Sequence, residues 1–189
     1  MKANPIILPF LLITIPLVAQ KIEPTHKHVS YGLHKDMKLN FWKIDSNEPT
    51  PLLVHIHGGG WLGGKKNETT SPNQLKNGYS YASIDYRLAG VELLPAAVHD
   101  AARAIQFLRT KAKEWNFDPE RIAVTGGSAG AASSLWLAYH DDMADPKSKD
   151  PVLRQSSRVC GAVAMGGQTT LDPFLLEKKI GRASCRERV

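Results

Sequence analysis

The chain has 189 residues, of which 42% are hydrophobic and 22% are charged, and its formal net charge is +6 at pH 7. This composition is typical of a folded domain with a sizeable core, and it excludes collagen-like, low-complexity and repeat proteins. The basic residues are not gathered into a stripe, since Lys65 with Lys66 and Lys178 with Lys179 form isolated pairs that we expect on solvated surface. We therefore expect no nucleic-acid partner.

Residues 1–19 have the pattern of a secretory signal peptide. Lys2 is their only charged residue, an apolar stretch follows it, and the small residue Ala19 marks the expected cleavage point. The stretch is short and interrupted by Pro9 and Pro16, which disfavours a membrane span or a buried helix. The junction contains no cysteine for a lipid anchor. The pattern predicts a secreted or periplasmic protein without a stable membrane anchor.

Strand-like and helix-like patterns alternate along the rest of the chain. In chain order we predict strands at 28–31 and 38–44, a turn at 45–51, a strand at 52–56, a short helix from 71, a strand at 81–86, a helix at 95–115, a strand at 122–125, a helix at 129–140 and a strand at 158–165. Such alternation favours βαβ units with right-handed crossovers, which build a parallel sheet. The predicted fold class is therefore α/β, with a mostly parallel sheet flanked by helices.

Two glycine-rich segments follow predicted strands at their carboxyl ends. The first is H-G-G-G-W at 57–61, and the second is G-G-S-A-G at 126–130, directly before a predicted helix. A strand that enters a helix through G-x-S-x-G is typical of a nucleophile elbow, and an upstream H-G-G-G loop supplies backbone N–H groups for an oxyanion. The two segments are expected at the same sheet edge, where sites of open α/β sheets lie.

Each residue of this candidate site has an expected role. Ser128 is the candidate catalytic nucleophile. Gly58 and Gly59 lack side chains that would keep their N–H groups from a reacting oxygen, and the N–H of Ala129 belongs to the unpaired first turn of a helix. These three residues form the predicted oxyanion hole.

Together with D-Y-R-L at 85–88, L-P-A-A at 94–97 and Asp100, the two motifs resemble the hormone-sensitive-lipase-like branch of the α/β-hydrolase superfamily and its BD-FAE-like esterases. The resemblance implies an α/β-hydrolase fold, a small-molecule ester substrate, an acyl-enzyme mechanism and no cofactor or metal. Gly127 and Ala131 depart from the acidic residue or histidine and the second glycine usual in that family, which leaves the subfamily open. A serine peptidase of the same superfamily and a non-catalytic binding protein are the alternatives.

The resemblance also implies an acid and a histidine that follow the nucleophile along the chain. The only histidine after Ser128 is His140. Three helical turns would carry it about 18 Å away, so we expect the cluster His140, Asp141 and Asp142 to have no catalytic or metal-binding role. Residues 20–179 are therefore expected to be the N-terminal part of the hydrolase domain, truncated before the triad acid and histidine and inactive alone. Residues 180–189 resemble the in-frame translation of a sequencing adapter. We therefore predict that they are a non-native tail.

Four further interpretations concern residues near the motifs or strands. His57 precedes the nucleophile and is expected to brace the glycine loop by hydrogen bonding. Asp85 and Arg87 are expected to form a structural polar contact at a strand end. Trp61 is placed at the mouth of the substrate site, in preference to packing inside its loop. Cys160, within an apolar run, is expected to be a small buried side chain.

Overall fold

The computed structural model describes residues 21–168. The predicted signal peptide and the predicted tail at 180–189 lie outside the described residues and stay predictions. No helix within 21–168 combines the length and the apolar character that a bilayer crossing requires. The strands are β1 (His26–Ser30), β2 (Lys38–Trp42), β3 (Thr50–Ile56), β4 (Ser80–Ile84), β5 (Phe117–Gly127) and β6 (Gly161–Met165), and the helices are α1 (Pro72–Leu75), α2 (Ala96–Trp115) and α3 (Ala129–Tyr139).

The six strands form one sheet in the order β1-β2-β4-β3-β5-β6. Strands β3, β4, β5 and β6 are parallel, while β1 and β2 add an antiparallel pair at one edge. The predicted mostly parallel sheet flanked by helices is thus confirmed. Strand β3 lies between β4 and β5, and its last residue Ile56 pairs with Gly126 of β5. This register brings the loops that follow β3 and β5 to the same point of the sheet edge.

The core lies between the sheet and helices α2 and α3. Leu52, Val54 and Ile56 alternate with less buried residues along β3, and each is at most 1% exposed. Helix α2 packs Ile105 and Leu108 into the same core, and neither is exposed to solvent. Burying a side chain of this size contributes roughly 1.5–3 kcal/mol, so this face anchors the long helix against the sheet.

Helix α2 begins and ends close to the predicted residues. It starts at Ala96 and is stopped by Asn116, which adopts the left-handed conformation with φ of 59° and donates its backbone N–H to the carbonyl of Ala112. Asparagine tolerates this conformation better than most residues, which makes it a common helix terminator. The Asn116 amide also donates to the carbonyl of Ser46 at 2.8 Å, which ties the end of the helix to the loop before β3.

The structure corrects three expectations, two about where strands begin and one about the exposure of Cys160. The turn predicted at 45–51 is shorter, because Thr50 begins β3 and is buried. Strand β5 begins at Phe117, since the left-handed Asn116 turns the chain straight back into the sheet. Cys160 is exposed, and the prediction of a buried side chain was wrong. This residue precedes β6, which pairs on one side only within the described sheet.

Candidate active site

Ser128 stands at the sharp turn between β5 and α3. Its backbone has φ of 53° and ψ of −119°, a combination that L-residues rarely adopt, and its side chain is exposed. Such a conformation costs about 1–3 kcal/mol and persists only where the surroundings impose it. Two backbone hydrogen bonds of 3.0 Å hold the residue: its N–H donates to the carbonyl of Met165, and its carbonyl accepts from the N–H of Ala132. Ser128 is therefore an exposed residue on a fixed main chain.

Two glycines allow the turn at Ser128 to be this tight. A Cβ at Gly126 would lie 2.5 Å from the carbonyl oxygen of Ile56 and 2.5 Å from the carbonyl carbon of Gly130. A Cβ at Gly130 would overlap the same Ile56 oxygen. Both obstacles are main-chain atoms, which cannot rotate away as a side chain can. The first turn of α3 thus packs directly on the end of β3 only because both positions lack side chains.

The loop after β3 lies beside the nucleophile candidate. A Cβ built on Gly58 would be 3.6 Å from the Cβ of Ser128 and 2.7 Å from the carbonyl oxygen of Gly127. Gly59 has φ of 105°, which favours glycine, and its carbonyl accepts the N–H groups of Leu62 and Gly63 at 3.0 and 3.1 Å. The structure therefore brings the two predicted glycine motifs into contact.

Ala129 completes the set of residues predicted to bind an oxyanion. It is the first residue of α3 and is buried, with 2% of its surface exposed. The first N–H groups of a helix have no partner within the helix, and the helix dipole favours negative charge beside them. Gly58, Gly59 and Ala129 therefore offer main-chain N–H groups on elements that flank Ser128.

His57 braces the glycine loop from beneath. Its Nδ1 lies 2.8 Å from the carbonyl oxygen of Gly58, and because a carbonyl can only accept, Nδ1 carries the proton. The ring stacks on Tyr86 with a centroid separation of 4.2 Å, and the Tyr86 hydroxyl donates to the His57 carbonyl at 2.9 Å. Burial lowers the pKa of His57, and the Gly58 carbonyl and the nearby Asp85 carboxylate offset only part of this shift. A neutral ring holding the loop agrees with the expected bracing contact.

Trp61 packs inside the loop, so its placement at the substrate mouth was wrong. The side chain is 7% exposed, and the indole Nε1–H donates to the hydroxyl of Ser133 on α3 at 3.1 Å. Trp61 has φ of 60°, a left-handed backbone conformation that residues other than glycine seldom adopt. Its carbonyl accepts the N–H of Ala89 at 2.7 Å, which also joins the glycine loop to the segment after β4.

Asp85 and Arg87 have separate partners instead of contacting each other. Arg87 donates from Nη2 to Asp100 Oδ1 at 2.6 Å and from Nε to Oδ2 at 2.9 Å, and Asp100 is 1% exposed. Asp85 accepts the backbone N–H of Lys66 at 2.6 Å and lies 3.3 Å from the Lys66 ammonium. Lys66 itself is 6% exposed, so the prediction that it lies on solvated surface was wrong.

The acidic cluster that includes His140 lies at the far end of α3. His140 is exposed, stacks on Trp136 with a centroid separation of 4.0 Å and accepts a hydrogen bond from Arg158 at its carbonyl. Asp142 accepts the backbone N–H of Ser157 at 2.8 Å, which fastens the loop after α3. Within residues 21–168 no group of histidine, cysteine and carboxylate side chains is arranged to hold a metal ion.

Gly64 and Lys66 belong to the site, although the sequence reasoning missed them. A Cβ at Gly64 would overlap the Nδ1 of His57 and lie 2.5 Å from the Gly58 carbonyl oxygen, so glycine is required for the bracing hydrogen bond. Gly63 and Gly64 follow H-G-G-G-W directly, and this second glycine pair was the available signal. Nothing local distinguishes Lys66 from the exposed Lys65.

The chain is similar to one known protein family and to proteins named as ester hydrolases. The family model described as BD-FAE matches residues 41–181. The probable carboxylic ester hydrolase LipM of Mycobacterium tuberculosis is 29% identical over 178 residues, covering 85% of this chain and 41% of LipM. Carboxylesterase NlhH of the same organism is 32% identical over 131 residues, covering 66% of this chain and 40% of NlhH. The chain thus spans about two fifths of these relatives.

Solved structures show the same fold. The acetyl ester-xyloside bifunctional hydrolase from Caldicellulosiruptor lactoaceticus is 33% identical, with a TM-score of 0.60 over 67% of this chain and 47% of that one. The propionate-bound esterase Est2 from Thermogutta terrifontis is 26% identical, with a TM-score of 0.57 over 80% of this chain and 57% of that one. The described sheet and helices are therefore an N-terminal part of an α/β-hydrolase fold.

Proposed function

Because the chain belongs to the BD-FAE family, we propose that the complete protein containing it hydrolyses carboxylic esters of small molecules, with Ser128 as the nucleophile. The observation that carries the proposal is the exposed Ser128 on a strained elbow, with Gly58 of the neighbouring loop beside its Cβ. The relatives named as carboxylic ester hydrolases support the reaction class.

In the proposed mechanism, Ser128 Oγ attacks the ester carbonyl carbon and transfers its proton to a base. The carbonyl oxygen becomes an oxyanion, which accepts hydrogen bonds from the N–H groups of Gly58, Gly59 and Ala129. Collapse of this intermediate expels the alcohol and leaves an acyl group on Ser128, which water then releases as the acid. One such donor contributes roughly 3–4 kcal/mol to transition-state stabilisation, and fixed main-chain donors need no rearrangement during the reaction.

We propose that the base and its orienting acid come from residues beyond those the structure describes. His57 is hydrogen-bonded to the Gly58 carbonyl, and His140 follows the last residue of α3, about 18 Å along the helix from Ser128. A serine hydroxyl without a base is a weak nucleophile. We therefore expect the 189-residue chain by itself to show no turnover above background.

The first experiment tests the nucleophile in the complete gene product. We expect hydrolysis of p-nitrophenyl acetate by the wild type and a loss of at least about 10³-fold in kcat for Ser128→Ala. Ser30→Ala is the matched control. Ser30 is also exposed, but it ends β1, which is the edge strand farthest from β6. Labelling by a serine-reactive phosphonate, located by peptide mass spectrometry, gives an independent readout. Full turnover by Ser128→Ala, or a label on another residue, would contradict the proposal.

We also propose that the protein is exported through its first 19 residues. The support is the basic start, apolar stretch and small residue at Ala19. Expression of the natural gene with its first codons intact should yield a periplasmic or secreted protein whose N-terminal sequence begins near Gln20. A cytoplasmic product that retains Met1 would exclude export.

A further inference from the structure

Lys66 is a buried ammonium between two carboxylates. Its side chain is 5% exposed, and Nζ lies 2.7 Å from Glu68 Oε1 and 3.3 Å from Asp85 Oδ2. The hydrogen bond from Lys66 is the main cause that lowers the pKa of Glu68. A charged group is kept away from water only where partners compensate it, and Glu68 is itself half-exposed. Asp85 is therefore the inner partner of this ion pair.

Asp85 links this ion pair to the loop that carries Gly58 and Gly59. Its Oδ1 accepts the backbone N–H of Lys66 at 2.6 Å, which fixes the end of the loop to the end of β4. The same oxygen lies 3.9 Å from Nε2 of His57. The carboxylate thus faces the unprotonated nitrogen of the ring that braces Gly58.

The hydrogen bond from His57 sets the direction of a peptide group. In a trans peptide the C=O and the following N–H point in opposite directions. Because Nδ1–H of His57 holds the Gly58 carbonyl at 2.8 Å, the N–H of Gly59 is turned away from the ring. Gly58 lies beside Ser128, so we expect this orientation to point the Gly59 N–H to the side where the proposed oxyanion forms.

We propose that Lys66 is a positioning residue for the glycine loop at 57–61. Its ammonium neutralises Asp85, so that His57 stays neutral and keeps its hydrogen bond to the Gly58 carbonyl. This inference rests on the proposed function, since it concerns the same oxyanion hole. Without the ammonium, the unpaired carboxylate at 3.9 Å would favour a proton on Nε2. The charged ring would then move toward Asp85 and stretch the hydrogen bond from Nδ1 to the Gly58 carbonyl. The peptide that carries the Gly59 N–H would then lose its fixed orientation.

Few other charged or titratable groups face His57. Tyr86 stacks on the ring from the segment after β4, and His55 of β3 interacts with it through space. Burial raises the pKa of Tyr86 well above its ordinary value, so its hydroxyl stays neutral. Burial also lowers the pKa of His55, with a smaller contribution from His57. Burial is the largest cause that lowers the pKa of His57, and Asp85, with Lys66 behind it, is the charged group that opposes this shift.

The test compares Lys66→Met with Lys65→Met in the complete gene product. Lys65 is the adjacent residue and is exposed, which makes it a matched control for the loss of one lysine. We expect Lys66→Met to lower kcat about 10–100-fold with less than about threefold change in KM, bounded by the loss of one oxyanion donor. Lys65→Met should match the wild type.

A double variant separates the charge from the fold. Asp85→Asn keeps an oxygen that accepts the Lys66 N–H but removes the charge, so Lys66→Met combined with Asp85→Asn should recover most of the lost kcat. Adding Lys66→Met to Asp85→Asn should cost less than about threefold, a non-additivity expected of coupled residues. This second comparison decides the question even where Lys66→Met alone does not fold. A further tenfold loss, or equal kinetics of Lys66→Met and Lys65→Met, would overturn the inference.

A readout independent of turnover keeps this inference apart from the proposed function. Titration of the His57 ring by NMR should give a higher pKa in Lys66→Met than in the wild type and Lys65→Met. If the protein hydrolyses no ester, or Ser128→Ala retains activity, the proposed function fails and the NMR titration still decides the role of Lys66. An unchanged His57 pKa in Lys66→Met would refute that role.

Discussion

Gly126→Ala tests the claim that the elbow is a main-chain contact between β3, β5 and α3. The new Cβ would lie 2.5 Å from the Ile56 oxygen and 2.5 Å from the Gly130 carbonyl carbon. Real Cβ contacts of this kind are rarely below 3.0 Å, so the strand and the helix must move apart by at least about half an ångström. No side-chain rotation can relieve either overlap.

The magnitude follows from two opposed effects. Overpacking a buried position costs typically about 1–3 kcal/mol. Alanine restricts the unfolded chain more than glycine does, which returns about 0.4–1 kcal/mol. We expect a net loss of about 1–2 kcal/mol in the free energy of unfolding. Separation of Ser128 from Gly58 should also lower kcat by up to about 100-fold, because displacements near 1 Å have effects of this size.

The assay is urea unfolding followed by tryptophan fluorescence, with ester hydrolysis measured in parallel. Gly127→Ala is the matched control at the neighbouring position, where a Cβ would meet only the Met165 oxygen at 3.8 Å and φ is not positive. This variant should unfold at or above the wild-type urea concentration. If Gly126→Ala were as stable and active as Gly127→Ala, the described packing of the elbow would be wrong.

Four further variants test individual contacts. Trp61→Phe removes the indole donor to Ser133 and should cost about 1 kcal/mol in urea unfolding, and Ser133→Ala should cost more, about 1–3 kcal/mol, because it leaves a buried N–H unpaired. Asp100→Asn removes the charged partner of Arg87, whose side chain is 26% exposed, and should lower the free energy of unfolding by about 2 kcal/mol, checked by the same assay. The Arg103 side chain lowers the pKa of Asp150 below 3.8, so this carboxylate stabilises the fold above that pH and the gain is lost as pH falls. Asp150→Asn should therefore flatten the acid limb of a stability-versus-pH curve.

The sequence was sufficient for features that short stretches determine. Helix α2 was predicted within one residue of its start, since the turn residues before it and Asn116 after it mark its ends. The two glycine motifs were assigned to one sheet edge because each follows an apolar run, and the register of Ile56 with Gly126 agrees with that assignment. Local patterns and the handedness of βαβ units carry this information.

The missed features depend on residues far apart in the chain. Lys65 and Lys66 are alike in sequence, and only the arrival of Asp85 from the end of β4 decides which one is buried. Trp61 turns inward because Ser133, 72 positions later, offers it an acceptor on α3. The local sequence pattern carries no information about either contact, so both side chains were predicted to be exposed.

The elbow at Ser128 and the glycine loop at 57–61 are stabilised by different parts of the sheet. Substitutions in these two parts should therefore have different effects on the site. Ser128 keeps its unfavourable φ of 53° through a hydrogen bond to Met165 of β6 and another within α3. The glycine loop is held from the opposite side, by His57, by Tyr86 and by the Asp85 carboxylate at the end of β4. Substitutions that remove the contacts at the end of β4 should therefore displace the proposed oxyanion donors. Ser128 should stay exposed and reactive toward phosphonates in such variants. Damage near β6 should release the strain at Ser128 and remove both properties together.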